Sequence, residues 1–301
     1  MKINFYTDID TLFGDLCRAC MDMLLQAGHE VELVDLGMGN HAPLPDVEPA
    51  SVNLIVAGIY AWHRFQTWGL PRHGKNVLWI FDPLTRSDAS TMHRHKAAAF
   101  DAIAAQVDAV IAMNTPIANY LALHHAQRAT LKIPYLIADQ RIAVPVDESF
   151  RHRPVIFLGG QSPHRLEVEA HFATHNLETN FVWTSLWGKQ RDDWRRHCHI
   201  SLNLHAETEH TYFDQFRALE SWAAGTVVLT ETTDGLAEFG IKPGVHLAMS
   251  DWHDMPAVCA QLLEDRAWRE QMTAAAQELL RQQFSMHRWK NDILRLLTNL
   301  P

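Results

Sequence analysis

Two short stretches in the second half of the chain carry residue types that do chemistry. In the first, the apolar run Val155 to Leu158 ends in Gly159, Gly160, Gln161, Ser162, Pro163, His164 and Arg165. Glycines let backbone amides approach an anion closely, a helix opening after them points its positive end at the same place, and Arg165 falls in its first turn. That is the make-up of a diphosphate cradle, and equally of an ordinary turn between strand and helix. In the second, His205 follows the run Ile200 to Leu204, and a helix then carries Arg217 and Glu220, three apart on one face, with Leu219, Trp222 and Ala223 for packing. A carboxylate near a helix N-terminus can accept two hydrogen bonds from a ribose diol. An isolated pair of this spacing is commonly a surface ion pair. Here Gly225 stops the helix, a buried-type strand from Thr226 to Thr230 follows, and the loop Thr232, Thr233, Asp234, Gly235 comes next, which favours a ligand-facing role.

These stretches need a scaffold, and the spacing of apolar residues predicts one. A strand from Ile3 to Thr7, a helix from about Asp15 to Ala27 ending at Gly28, and a strand from Val31 to Leu36 make a βαβ unit. Strand-like runs recur at Val52 to Gly58, Val77 to Phe81, Ala109 to Met113 and Leu131 to Ile133, with helical stretches at Ser90 to Gln106 and Pro116 to His125. Such alternation predicts an α/β fold with parallel sheets covered on both faces. The pattern lapses over Ala138 to Pro154 and then restarts, with strands at Val155 to Leu158, Asn180 to Trp183, Ile200 to Leu204 and Thr226 to Thr230, and helices at His164 to His175, Asp214 to Ala224 and Met255 to Leu297. For 301 residues, twice the ~150 of a typical domain, two α/β halves are expected.

Several other motifs lack a part that their chemistry requires. Gly69 to Asn76, GLPRHGKN, has phosphate-loop spacing but no following Ser/Thr, and it precedes a strand, so it reads as a surface turn. Gly14 and Asp35 sit where a dinucleotide fold would need them, but G-x-G-x-x-G is absent. Cys17 and Cys20 lie inside a helix and read as buried. His197, Cys198, His199 and His205 lack a second pair to complete a metal set, and His29-Glu30 lacks the second histidine of a zinc protease. His93, Arg94, His95 and Lys96 read as a solvated helix face.

With 26 basic and 35 acidic side chains the chain has a net charge of −9, which disfavours general nucleic-acid binding. Four scattered cysteines point to a reducing compartment, the cytoplasm by default, and Asp8 and Asp10 interrupt any signal-peptide core. The longest uncharged apolar run, Val52 to Trp62, falls short of the ~20 residues that span a bilayer, so a soluble protein is expected.

The run from Arg217 through Glu220 and Trp222-Ala223-Ala224-Gly225-Thr226-Val227-Val228-Leu229-Thr230 resembles the R-x-x-E-x-x-A-x-G segment of GT-B nucleotide-sugar glycosyltransferases, closest to the glycosyltransferase group 1, spore-maturation-protein-like (CgeB-type) branch. Gly28-His29-Glu30-Val31, Ala109 to Asn114, Ile133-Pro134, Val144-Pro145, Gly235, Glu238, Gly244 and Phe284 to Trp289 agree in order. The resemblance implies two Rossmann-like domains facing a cleft: residues 1–148 on the acceptor side, 149–284 binding the nucleotide-sugar, and a helix over 285–301 returning to the first. It implies a glycosyltransferase in which Glu220 holds the donor ribose, Arg217 and Arg165 face the diphosphate, Gly159, Gly160 and Ser162 form the near turn, and His205, Thr232, Thr233 and Gly235 complete the donor site. Many retaining relatives carry a glutamate where this chain has Tyr212, with Glu207 and Glu209 out of register, so stereochemistry stays open.

No DxD-type site is evident, so no metal or other cofactor is expected, with helix N-termini and Arg stabilising the leaving group. Acceptor chemistry should come from loops after strands of the first half: Asp8, Asp10 and Gly14, His63, and Asp82, with Asp82, His63 and Asp10 as candidate catalytic groups. Trp62, Trp68 and Trp79 are candidate sugar platforms, with core packing the default. A nucleotide-sugar donor is the expected partner. Its base (UDP, GDP, ADP or dTDP), the acceptor and the oligomeric state are open, and nothing supports peripheral membrane contact. A sugar-nucleotide epimerase and a catalytically silent binding subunit are the alternatives.

Overall fold

The computed structural model describes residues 1–7, 14–36, 48–56, 59–86, 91–142, 148–183, 186, 188–208 and 211–300. The chain divides into two compact units, Met1–Leu136 together with Met286–Pro301, and Ile137–Ser285.

The first unit is built on six parallel strands, β1 (Lys2–Thr7), β2 (Glu30–Asp35), β3 (Val52–Val56), β4 (Lys75–Ile80), β5 (Ala109–Ala112) and β6 (Ala129–Lys132), in the order β2-β1-β3-β4-β5-β6. Its helices are α1 (Gly14–Gln26), α2 (Ile59–Trp68), α3 (Thr91–Ile103) and α4 (Thr115–His124). Every residue of β3 and β5, and all of β4 but Lys75, is buried, as expected for strands covered on both faces. Helix α1 turns Leu16, Cys17, Cys20, Met23 and Leu24 into this core. Helix α4 starts where it does because Asn114 Oδ1 accepts from the Ile117 amide (3.0 Å) and Pro116 fits the first turn.

The second unit carries β7 (Arg153–Leu158), β8 (Thr179–Val182), β9 (Cys198–Asn203), β10 (Val227–Glu231) and β11 (Ala248–Ser250), all parallel, in the order β11-β10-β9-β7-β8. Helices α5 (Pro163–Ala173), α6 (Gly188–Arg196), α7 (Gln215–Ala223), α8 (Met255–Glu264) and α9 (Arg266–Leu279) join and flank them. From β7 the chain steps to β8 on one side and then crosses back to β9 on the other. That reversal opens a crevice beyond the C-terminal ends of β7 and β9, the place where open α/β sheets bind ligands. The last helix, α10 (Met286–Thr298), belongs to the first unit and packs against α1.

Three elements were not legible as such. Helix α2, IYAWHRFQTW, continues the apolar run of β3 with residues of modest helix propensity. Helix α6, GKQRDDWRR, has no apolar stripe because its buried positions are Arg191 and Arg195. Strand β11 is three residues long. The helices expected over Met255 to Leu297 are α8, α9 and α10, with a π-turn over Leu280–Phe284 before α10. All four cysteines are free and buried, and burial pushes the Cys198 thiol up to about 12 and those of Cys20 and Cys259 up as well.

The phosphate-loop look-alike is the turn into β4. Asn53 Nδ2 donates to His73 O (2.7 Å) and to Asn76 Oδ1 (3.0 Å), and Asn76 Nδ2 donates to Pro71 O and Gln106 O. Gly74 sits at φ +84°, and a Cβ there would collide with the Ala50 carbonyl. Gly74→Ala should therefore lower stability by about 2 kcal/mol or more in urea denaturation, without changing affinity for any nucleotide.

Candidate functional site

At the crevice of the second unit, β7 delivers Gly159 and Gly160 and then the start of α5. Ser162 caps that helix, its Oγ accepting the Arg165 amide (3.3 Å), with Pro163 in the first turn. Among the described residues, nothing accepts a hydrogen bond from the main-chain N–H groups of Gly160, Gln161, Ser162 or His164. The two glycines differ. A Cβ on Gly159 would lie 2.7 Å from Phe157 Cζ and 3.3 Å from Arg217 Nη2, whereas one on Gly160 would meet nothing within 4 Å. Gly159 is needed for packing, and Gly160 borders open space. Unpartnered amides around open space at a helix N-terminus suit an anion.

The two arginines expected to face that anion are turned into the protein. Arg165, 8% exposed, donates from Nε to His205 O (3.0 Å), from Nη1 to Gly160 O (2.9 Å) and from Nη2 to Leu204 O (2.9 Å). Arg217 donates from Nε to Leu158 O (3.1 Å) and from Nη1 to Asn203 Oδ1 (2.8 Å), and pairs with Asp214 (2.9 Å). Both guanidinium groups lie over the Phe157 ring, at 5.2 and 5.0 Å from its centroid. Burial and then Arg217 disfavour the charge on Arg165. Together the pair fixes the carbonyls that end β7 and β9.

Arg217 and Glu220 share a helix but do not pair. Glu220, 1% exposed, is clasped by Arg141 Nη1 (3.0 Å to Oε1, 2.9 Å to Oε2) and Arg195 Nη1 (3.2 Å to Oε2). Asp192 joins the cluster, 2.7 Å from Arg141 Nη2 and 3.7 Å from Arg195. Burial, then Arg191, lowers the Arg195 affinity for its proton, while Glu220 and Asp192 oppose that. Arg191 and Arg195 also lie over the Phe216 ring of α7.

The end of β10 supplies a second carboxylate. Glu231 Oε1 accepts from His164 Nε2 (2.9 Å), and Glu231 Oε2 accepts from the His205 amide (3.3 Å). His205 Nε2 donates to Thr232 O (3.1 Å), and burial lowers its pKa. The Glu231 hydrogen bond raises the pKa of His164 against the effect of burial. Thr232 is held by its amide to Ser250 O, and Thr233 Oγ1 donates to Thr211 O. At Gly235, φ +84°, a Cβ would strike the Tyr212 ring, whose hydroxyl donates to Glu238. Tyr212 thus pins the 232–235 loop.

In the first unit, Asp82 follows β4 and pairs with Lys96 Nζ (2.5 Å). His93 and Lys96, expected on a solvated face, are 6% and 8% exposed: they lie on the side of α3 that also buries Ala97 and Phe100. Gly14 opens α1 and His63 lies within α2, while Asp8, Asp10 and Glu209 fall outside the described residues. Trp79 is core and Trp68 is 50% exposed. Among the described residues no group of three or more His, Cys, Asp or Glu could hold a metal ion, and no helix is long and apolar enough to cross a membrane.

Sequence reasoning missed Arg141, Arg195 and Glu231. The first two lie far from Glu220 along the chain, in a stretch read as linker and in a helix without an apolar stripe. Glu231 had a signal, a carboxylate ending a buried strand.

A family model described as glycosyl transferase-like matches residues 181–295, most of the second unit and part of α10. No curated protein sequence matches the chain. Among solved structures, Alr3699/HepE of Anabaena in complex with UDP-glucose is 12% identical over 100% of both chains at a TM-score of 0.67. Sucrose-phosphate synthase of Thermosynechococcus elongatus is 13% identical over 99% of this chain and 98% of that one at 0.65. AviGT4, a glycosyltransferase involved in avilamycin A biosynthesis, is 13% identical over 100% of this chain and 98% of that one at 0.59. The fold is that of GT-B glycosyltransferases, and residues 181–295 are similar to a glycosyl transferase-like family.

Two outcomes follow from the buried charges. Glu220→Ala leaves the buried Arg195 without its close carboxylate and should lose about 3 kcal/mol in denaturant titration, with Glu220→Gln losing clearly less. His164, with its pKa raised above the ordinary 6.5, adds stability that is complete below that value and fades as pH rises through the raised one. In urea titrations between pH 5 and 8, His164→Gln should lower stability most at the acid end.

Proposed function

We propose that the protein is a glycosyltransferase that moves a sugar from a nucleoside diphosphate sugar to an acceptor, with the donor bound at the β7–β9 crevice of the second unit. The observation that carries this reading is the set of unpartnered amides at Gly160, Gln161, Ser162 and His164 around open space. Amides and a helix N-terminus fixed in advance stabilise the negative charge that develops on a departing diphosphate without reorganising. The similarity of residues 181–295 to a glycosyl transferase-like family, and the UDP and UDP-glucose bound by the structurally similar HepE, support the same donor class.

In this reading the bond from the anomeric carbon to the diphosphate oxygen breaks as an acceptor oxygen bonds to that carbon and releases its proton. Arg165 and Arg217 act one step back from the diphosphate. By holding the Leu158, Gly160, Leu204 and His205 carbonyls they keep those negative dipoles out of the anion's path. Glu220 receives the ribose diol, and Thr232, Thr233 and Gly235 bound the diphosphate and sugar. With the charge met by amides, turnover needs no divalent metal. In the first unit Asp82, paired with Lys96, is the candidate base, and His63, within α2, Gly14, at the start of α1, and Asp10, outside the described residues, are the other acceptor-side candidates.

A thermal-shift panel of UDP, GDP, ADP and dTDP sugars should show stabilisation by one nucleotide class, and nucleotide release with a suitable acceptor should persist in EDTA. Gly160→Val, which fills open space, should keep the melting temperature but lose the nucleotide response. If no nucleotide stabilises the protein, the donor site is wrong. Sugar interconversion without an acceptor would reveal an epimerase, and tight binding without turnover over broad acceptor panels a silent binding subunit.

A further inference from the structure

Glu220, the group read as the ribose acceptor, is already occupied by the protein itself. Its carboxylate is buried beneath two guanidiniums that differ in how firmly they are held. Arg195 has a side chain only 1% exposed and rises from α6, where its own carbonyl accepts from Thr226 Oγ1 and Cys198 Sγ. It cannot leave without unpacking the helix. Arg141 is 17% exposed and sits on a single short turn, Asp139–Arg141. Its second nitrogen is 2.7 Å from Asp192, itself 22% exposed. Arg141 can release Glu220 and keep Asp192 as a pivot.

A vicinal diol offers two O–H donors to a carboxylate, and Arg141 Nη1 now lies within reach of both Glu220 oxygens, so the two compete for the same acceptor pair. Building on the reading of Glu220 as ribose acceptor, we propose that Arg141 is a self-ligand that occupies the diol's place on Glu220 in the empty protein and sets nucleotide affinity by competing for it. Arg195 stays in both states and keeps the carboxylate charged and oriented. Binding is then weakened by the fraction of time Arg141 spends on Glu220, and removing the competitor restores the full affinity.

The test is calorimetric titration of UDP and of uncharged uridine into the wild-type protein, Arg141→Gln and Glu220→Gln, with melting temperatures as the folding control. Arg141→Gln should bind both ligands about threefold to tenfold more tightly, and Glu220→Gln should weaken both. Unchanged affinities in Arg141→Gln would make the clasp purely structural and overturn the proposal. Weaker UDP with unchanged uridine would do so differently, by making Arg141 a phosphate ligand. If instead Glu220→Gln leaves both ligands unaffected, it is the ribose reading that fails. Should Arg141→Gln not fold, Arg141→Lys, which keeps the charge but offers a single ammonium, carries the same prediction of tighter binding and the same overturning results.

Discussion

The carbonyls that end β7 and β9 are the constraint on which the second unit turns. Where a parallel sheet reverses its strand order, the strands on either side part company, and their last carbonyls lose the neighbour that would have paired them. Left to water, they would line the crevice with negative dipoles. Arg165 and Arg217 take that role instead, gathering Leu158, Gly160, Leu204 and His205 onto two buried guanidiniums stacked over Phe157. With the carbonyls drawn inward, the amides of Gly160, Gln161, Ser162 and His164 are left without an acceptor among the described residues. The close approach of Arg217 and the Phe157 ring is also why the first residue of that turn has no side chain.

A second buried charge cluster lies one turn further along α7. Glu220, Arg141, Arg195 and Asp192 bring together two cations and two anions from three separate segments. Removing two such charges from water is unfavourable, and their mutual attraction recovers it only when the set is complete. Such a cluster specifies how α6, α7 and the 139–141 turn fit together, more than it adds to stability. It also explains why α6 lacks an apolar stripe: its buried face is arginine, and its packing partner is a carboxylate and a phenyl ring.

Much of the scaffold was readable in the sequence because short apolar runs, helical spacing and glycine stops all agreed. Strands β1, β3, β4 and β5 are short, mostly apolar and buried, and Gly28 follows α1 where the sequence places a helix stop, whereas the caps Asn114 and Ser162 emerge only from the structure. The elements that escaped are those whose burial is not apolar, such as α6, or whose apolar run blurs into a strand, such as α2. The residues proposed for the donor site were picked by type and spacing, whereas the partners that hold them in the structure were not. Arg165 and Arg217 bind carbonyls and Glu220 binds distant arginines, and neither is encoded in local spacing. A charged side chain's partner depends on which strand ends lie nearby, which only the topology decides.

The four cysteines carry a practical consequence. Each thiol is buried, and for Cys20, Cys198 and Cys259 burial holds the proton on well above neutral pH, so the reactive thiolate is scarce as well as shielded. A cysteine introduced at an exposed position would then be the sole fast-reacting thiol on the folded chain. The native sequence is already a quiet background for attaching a fluorophore or spin label, with no need to strip its own cysteines out of the core.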